Sequence, residues 1–112
     1  MPEAYRVLGM AAGTTSLATI YTVNTVLNAA IISSIVICNV SASPTTFTLI
    51  VMPGNQGGSP ILKNYVYSGT AIDALDTFVA TVGFTLSGSD YIQVAAGAAN
   101  ALSFQIYGDE LS

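Results

Sequence analysis

The chain has 112 residues, a net charge of −4, 7% charged and 52% hydrophobic residues, one cysteine and no histidine. Its two cations, Arg6 and Lys63, cannot neutralise a phosphate backbone by counterion release, so direct nucleic-acid binding is not expected, and a lone cysteine excludes an intrachain disulfide. The length suits one domain with a full core. From Val7 through Leu62 there is no Lys, Arg, Asp, Glu or His, whereas a free soluble domain keeps about a quarter of its residues charged. This neutral surface is read as surface that other protein covers.

Residues 1–16 stand apart from the rest. Tyr5–Met10 has the composition of a strand, and Ala11–Ser16 makes a flexible joint after it. Two placements fit: an arm that adds a strand to a neighbour's sheet, or the edge strand of the chain's own sandwich. Glu3 ahead of Arg6, with no apolar stretch behind them, argues against a signal peptide. The main domain, residues 17–112, opens with Thr19, Tyr21 and Val23 alternating with Ile20 and Thr22. In Ala29–Cys38 apolar residues fall at both parities, so both faces of a strand there want cover, one from a partner sheet and the other from a crossing strand or another chain. Asn28, Ser33, Ser34 and Asn39 interrupt this region, and its Ile and Val content favours a strand over a membrane span. Cys38 within it reads as a buried thiol acting as a small hydrophobe.

Further along, Ser41-Ala42-Ser43-Pro44 marks a compact hairpin-type turn. Phe47, Leu49 and Val51 then share one strand face, with Thr46 and Thr48 on the other. The stretch Pro53–Pro60, rich in glycine and proline, is a longer surface loop. Asp76 caps a turn before a strand running through Thr77–Leu86, where Gly83 marks a bulge or bend. Ser87-Gly88-Ser89-Asp90 is a second compact turn, capped by Asp90. Ile92, Val94 and Ala96 alternate with Gln93 and Ala95, and Leu102, Phe104 and Ile106 with Ser103 and Gln105. Short period-two strands divided by turn residues predict an all-β antiparallel sandwich, jelly-roll-like or Ig-like.

The pattern carries no catalytic constellation. Without histidine the commonest general base is absent; Cys38 has no cationic neighbour in sequence to activate it, and Lys63 stands alone. Asp73, Asp76, Asp90 and Asp109 match no calcium-loop spacing. Gly54, Gly57 and Gly58 precede no helix that would hold phosphate. Asn39-Val40-Ser41 fits the glycosylation pattern but accompanies no secretion signal. No enzyme activity, cofactor or metal is expected. Phe47, Phe78 and Phe104 are assigned to the core, and several tyrosines to its rim or to contacts with neighbours. The candidate contact residues are Tyr5, Arg6, Val7, Leu8 and Met10 of the front segment and Asn55 and Gln56 of the long loop, with Ile31, Ile35 and Ile37 as a self-contact in a dimer or trimer.

Leu17–Val23, Ile32–Asn39, Thr46–Leu49, Asp76–Val79, Gly83–Leu86, Asp90–Val94 and Leu102–Phe104, in that order and spacing, resemble a group of small virion structural proteins of tailed bacteriophages. The likeness spans about Leu17 to Leu111. It implies a compact β-sandwich on the virion, on the outer capsid surface, where it would act as a cement or decoration subunit bridging major capsid proteins. The alternative it implies is a tail, baseplate or fibre component reaching a host-surface glycan through Tyr65, Tyr67 and the 54–59 loop.

Overall fold

The four alternating segments are strands in the structure, a computed structural model that describes residues 3–24, 29–54 and 60–111, and with four further strands they make eight among these residues; of residues 3–6, 63, 82 and 111 it describes the backbone alone. In chain order they are β1 (Glu3–Ala12), β2 (Ala18–Thr22), β3 (Ala29–Asn39), β4 (Thr45–Met52), β5 (Tyr65–Ile72), β6 (Thr77–Ser87), β7 (Tyr91–Ala96) and β8 (Leu102–Leu111), with a 3-10 turn at Leu62–Asn64 before β5. Sheet A has the order β1-β8-β3-β6 and sheet B the order β2-β7-β4-β5, with all pairings antiparallel. That order is a jelly roll. The Ig-like alternative fails, because an Ig sandwich divides seven strands differently between its sheets.

In this topology the chain changes sheet at almost every connection, and β4 and β5 alone are neighbours both in sequence and in a sheet. The two compact turns at 41–44 and 87–90 are therefore not hairpins. Each arches from sheet A to sheet B, since turn residues specify a reversal and not the partner beyond it. Residues 3–12 are the edge strand of sheet A, paired with β8 from Glu3↔Leu111 to Ala12↔Ser103. A swinging arm would require this ladder to break.

Alternation places the core between the sheets. Ile32, Ile35, Ile37, Phe104 and Ile106 of sheet A meet Phe47, Leu49, Ile92 and Val94 of sheet B, all buried. Along the β5/β6 side, Phe47, Tyr67 and Phe78 form a ring cluster with centroids 5.2 to 5.5 Å apart, joining the two sheets with tilted and edge-on contacts. On the other side, the Tyr21 hydroxyl of β2 donates to Glu110 Oε2 of β8 at 2.6 Å. Tyr21→Phe keeps the ring and removes this charge-assisted bond, and is expected to lower stability by about 1–2 kcal/mol, read as a shifted urea midpoint at unchanged slope.

Gly83 lies at φ +68, and at the same place the β3/β6 pairing skips Ser33 and residues 82–83, so the bend expected at this glycine is a bulge. Ile50 and Met52 have the opposite parity to Phe47, Leu49 and Val51, yet both are fully buried. At their end of β4 the 3-10 turn packs back on the strand, with Asn64 Nδ2 donating to the Val51 carbonyl at 3.0 Å and Asn64 Oδ1 accepting from Ile61 N–H at 2.8 Å.

At the opposite end, Asn39 is fully buried and joins two turns. Its Nδ2 hydrogens are shared among the carbonyls of Ser43 (2.9 Å), Asp73 (3.1 Å) and Ile72 (3.3 Å), while Oδ1 accepts from the Ser41 N–H (2.9 Å) and hydroxyl (2.7 Å). A side chain so enclosed cannot carry a glycan.

Candidate interaction surface

Two of the four carboxylates weighed for a cation, Asp90 and Asp76, accept from backbone N–H groups. Asp90 Oδ1 accepts from Gly54 N–H and Oδ2 from Ser87 N–H, both at 2.9 Å, which ties the start of the long loop to the β6–β7 turn. Asp76 Oδ1 accepts from Thr77 N–H at 2.8 Å. Among the described residues, no three His, Cys, Asp or Glu side chains come together, and no helix is long and apolar enough to cross a membrane. What the fold does offer is a broad face.

That face is the outer side of sheet A, built by the second parity of its strands. The strand registers align it in four rows. Asp109 stands between Ile31 and the backbone of Tyr5, with Thr85 beyond Ile31. Tyr107 stands between Val7 and Ser34, with Thr81 next. Gln105 follows between Met10 and Val36, then Val79. Ser103 closes the set between Ala12 and Cys38, then Thr77. Asp109 is the one acidic or basic group among the described side chains of this face. Val7 (41%), Met10 (65%) and Val79 (59%) are exposed, and Ile31, Val36 and Cys38 are half-buried. Cys38 is thus not the buried core thiol that its apolar run suggested; it lies on the outward parity of β3.

Two details break the uniformity of the face. Asp109 is only 7% exposed, and its Oδ1 is buried with no hydrogen-bond partner. A buried acceptor left unmade costs about 1–3 kcal/mol, so it calls for a donor. At the other end, Met10, Ala11, Ala12, Ser103, Phe104 and Gln105 line a shallow hollow of about 290 Å³ between β1 and β8.

The residues singled out from the sequence divide across this architecture. Val7, Met10 and Ile31 lie on the outer face. Ile35 and Ile37 face the core and are buried, which removes them from contact with another chain; a strand apolar on both parities does not announce which parity is inside. Leu8 packs against the core as well. Tyr5 and Arg6 belong to β1, but their side chains lie outside the described set, as do Asn55 and Gln56 entirely. Tyr65 is exposed on edge strand β5, whereas Tyr67 is held in the ring cluster. Asp109 was weighed in sequence only as a cation ligand and not as a residue of this face. Its signal was its isolation: it is an acid at a polar parity of a strand otherwise bearing Ser103, Gln105 and Tyr107. No family model matches the chain, and a comparison with curated proteins gives no match either.

Proposed function

We propose that this chain is a non-enzymatic structural subunit of a tailed-bacteriophage virion, a cement or decoration protein on the outer capsid surface that bridges neighbouring major capsid subunits. The observation that carries this reading is the nearly uncharged outer face of sheet A, four strands wide, on a chain with 7% charged residues. Such a face loses little desolvation energy when covered, and gains about 25 cal/mol for each Å² of apolar surface removed from water. Many copies on one lattice add their modest contacts into a large stabilisation. The resemblance of the strand phrases to small phage virion proteins supplies the setting.

The contact surface is the set of outward side chains of β1, such as Val7 and Met10, and not a detached arm, because β1 is bound into the chain's own sheet. The rival tail or fibre role loses one of its reaching residues, since Tyr67 is engaged by Phe47 and Phe78. Stripping the protein from purified particles and heating them tests the reading. Rupture of the shell at a lower temperature, restored by adding the protein back, is the expected outcome. Unchanged rupture with lost adsorption to host cells would overturn it in favour of the tail.

A further inference from the structure

We infer that the outer face of sheet A is a self-contact, in which two copies pack face to face about a two-fold axis lying in the interface and running across the strands between Tyr107 and Gln105. This contact belongs to the protein free in solution and goes beyond the proposed setting: it occupies the face that the proposed capsid contact uses, so the two exclude one another and a capsid-bound copy has parted from its twin.

The argument starts from what the face lacks. Sheet B has its outer side partly closed by the chain itself, where the 3-10 turn packs back on β4 and Ile50 and Met52 are buried. On the outer side of sheet A the described side chains of the four rows keep part of their surface exposed, with Asp109, at 7%, as the exception. Four strands about 4.8 Å apart and about ten residues long present roughly 600 Å² in plan. The relief of the side chains adds to this, which brings the face to the order of the ~800 Å² per partner of a standard interface. A like-charged copy meets no repulsion across the described face except through Asp109.

A contact of a face with itself must be self-complementary, each acceptor finding a donor at the position the axis assigns to it. The rows meet that condition. The proposed axis exchanges the first row with the fourth and the second with the third. Asp109 of one copy then stands over Ser103 of the other, whose hydroxyl is a donor, and the same bond forms twice. The hydroxyl meets the carboxylate on its outward side; Oδ1, enclosed within its own chain, takes no part in this contact. Tyr107 stands over the hollow between β1 and β8 of the second copy, and Val7 over its Met10. Packed sheets cross at about −30°, so the central strands β8 and β3 stay in register while the edges diverge.

Sedimentation equilibrium of the full chain is expected to show a dimer. Ser103→Ala removes two symmetry-related hydrogen bonds to a carboxylate and should raise the dimer dissociation constant tenfold or more. Val36→Arg puts two like charges close to the axis and should give a monomer with an unchanged circular dichroism spectrum. The axis also sets Ile31 of one copy over Cys38 of the other, so Ile31→Cys under mild oxidation should yield a covalent dimer that Cys38→Ser abolishes. A chain monomeric at millimolar concentration would overturn the inference, and so would a dimer that survives Val36→Arg or fails to cross-link. A monomer that still protects capsids would sink the two-fold contact and leave the virion reading intact.

Discussion

Replacing Asn39 with alanine is expected to cost about 3–5 kcal/mol, a large part of the 5–15 kcal/mol that holds a domain of this size together. The loss is not that of one bond. Three carbonyls, of Ser43, Ile72 and Asp73, each lose a donor at once, and the Ser41 N–H loses its acceptor, while the Ser41 hydroxyl keeps its bond to the Ser43 carbonyl and Asp73 its bond from the Asp76 N–H. Water admitted to repair them would have to enter a site where the side chain is fully buried. The network also joins the β3–β4 and β5–β6 turns, so its failure loosens the end of the sandwich where the chain passes between sheets. Thermal unfolding should fall by roughly 10–20 °C. Asn39→Asp offers a sharper form of the same measurement: it retains the acceptor for Ser41 but turns a carboxylate oxygen toward three carbonyls, and should be at least as destabilising as alanine. A drop of only a few degrees in both variants would show that the turns hold without this hub.

Gly108→Ala is expected to destabilise by about 3 kcal/mol or more. Gly108 is buried in β8 opposite Ile32 of β3, and a methyl group there would collide with the Ile31 carbonyl oxygen and crowd the Ile32 Cα at 3.1 Å. The obstacle is backbone, so no rotamer change relieves it. β3 and β8 would have to separate at the centre of sheet A, beside the point where their register already slips between Ile32 and Ser34. Gly69 is the useful comparison, because a methyl group there meets nothing within 4 Å and alanine suffers only from the φ of +58, a penalty of about 1–2 kcal/mol. Equal midpoints for the two alanine variants in urea unfolding would refute the argument from close approach.

Much of this architecture can be read directly from residue patterns, and the reasons for the exceptions are physical. Phe47, Leu49 and Val51 do face the core, because alternation is a local property of an extended chain. Gly83 marks a bulge, because positive φ is cheap for glycine alone. Strand pairing is another matter. In a jelly roll the neighbours of β8 are β1 and β3, far away in sequence, so the same alternation that reveals a sandwich leaves jelly-roll and Ig-like orders undivided. β5 is hidden for a different reason: Gly69 at positive φ and repeated register shifts against β4 erase its period, and its burial follows no alternation. The contact face was half legible. The two-sided composition of β3 pointed to a second covered side, but assigning Ile31 outward and Ile35 and Ile37 inward depends on the bulge at Ser33, which shifts parity in mid-strand. Asn39 showed in sequence only as part of a glycosylation pattern, since two of the carbonyls it joins come from a turn more than thirty residues away.

The neighbouring placement of β1 and β8 bears on how the molecule comes into being. β8 is the plank between β1 and β3, so during synthesis the earliest of the eight strands must wait for the latest before sheet A can close. Pairings that distant in sequence form slowly, because loop-closure entropy is lost before any contact compensates it. During that delay β3, apolar on both parities and without charge, lies open on the flank that β8 will occupy, where it is vulnerable to association with other nascent chains. Refolding yield should therefore fall steeply with protein concentration, even when the finished fold is robust.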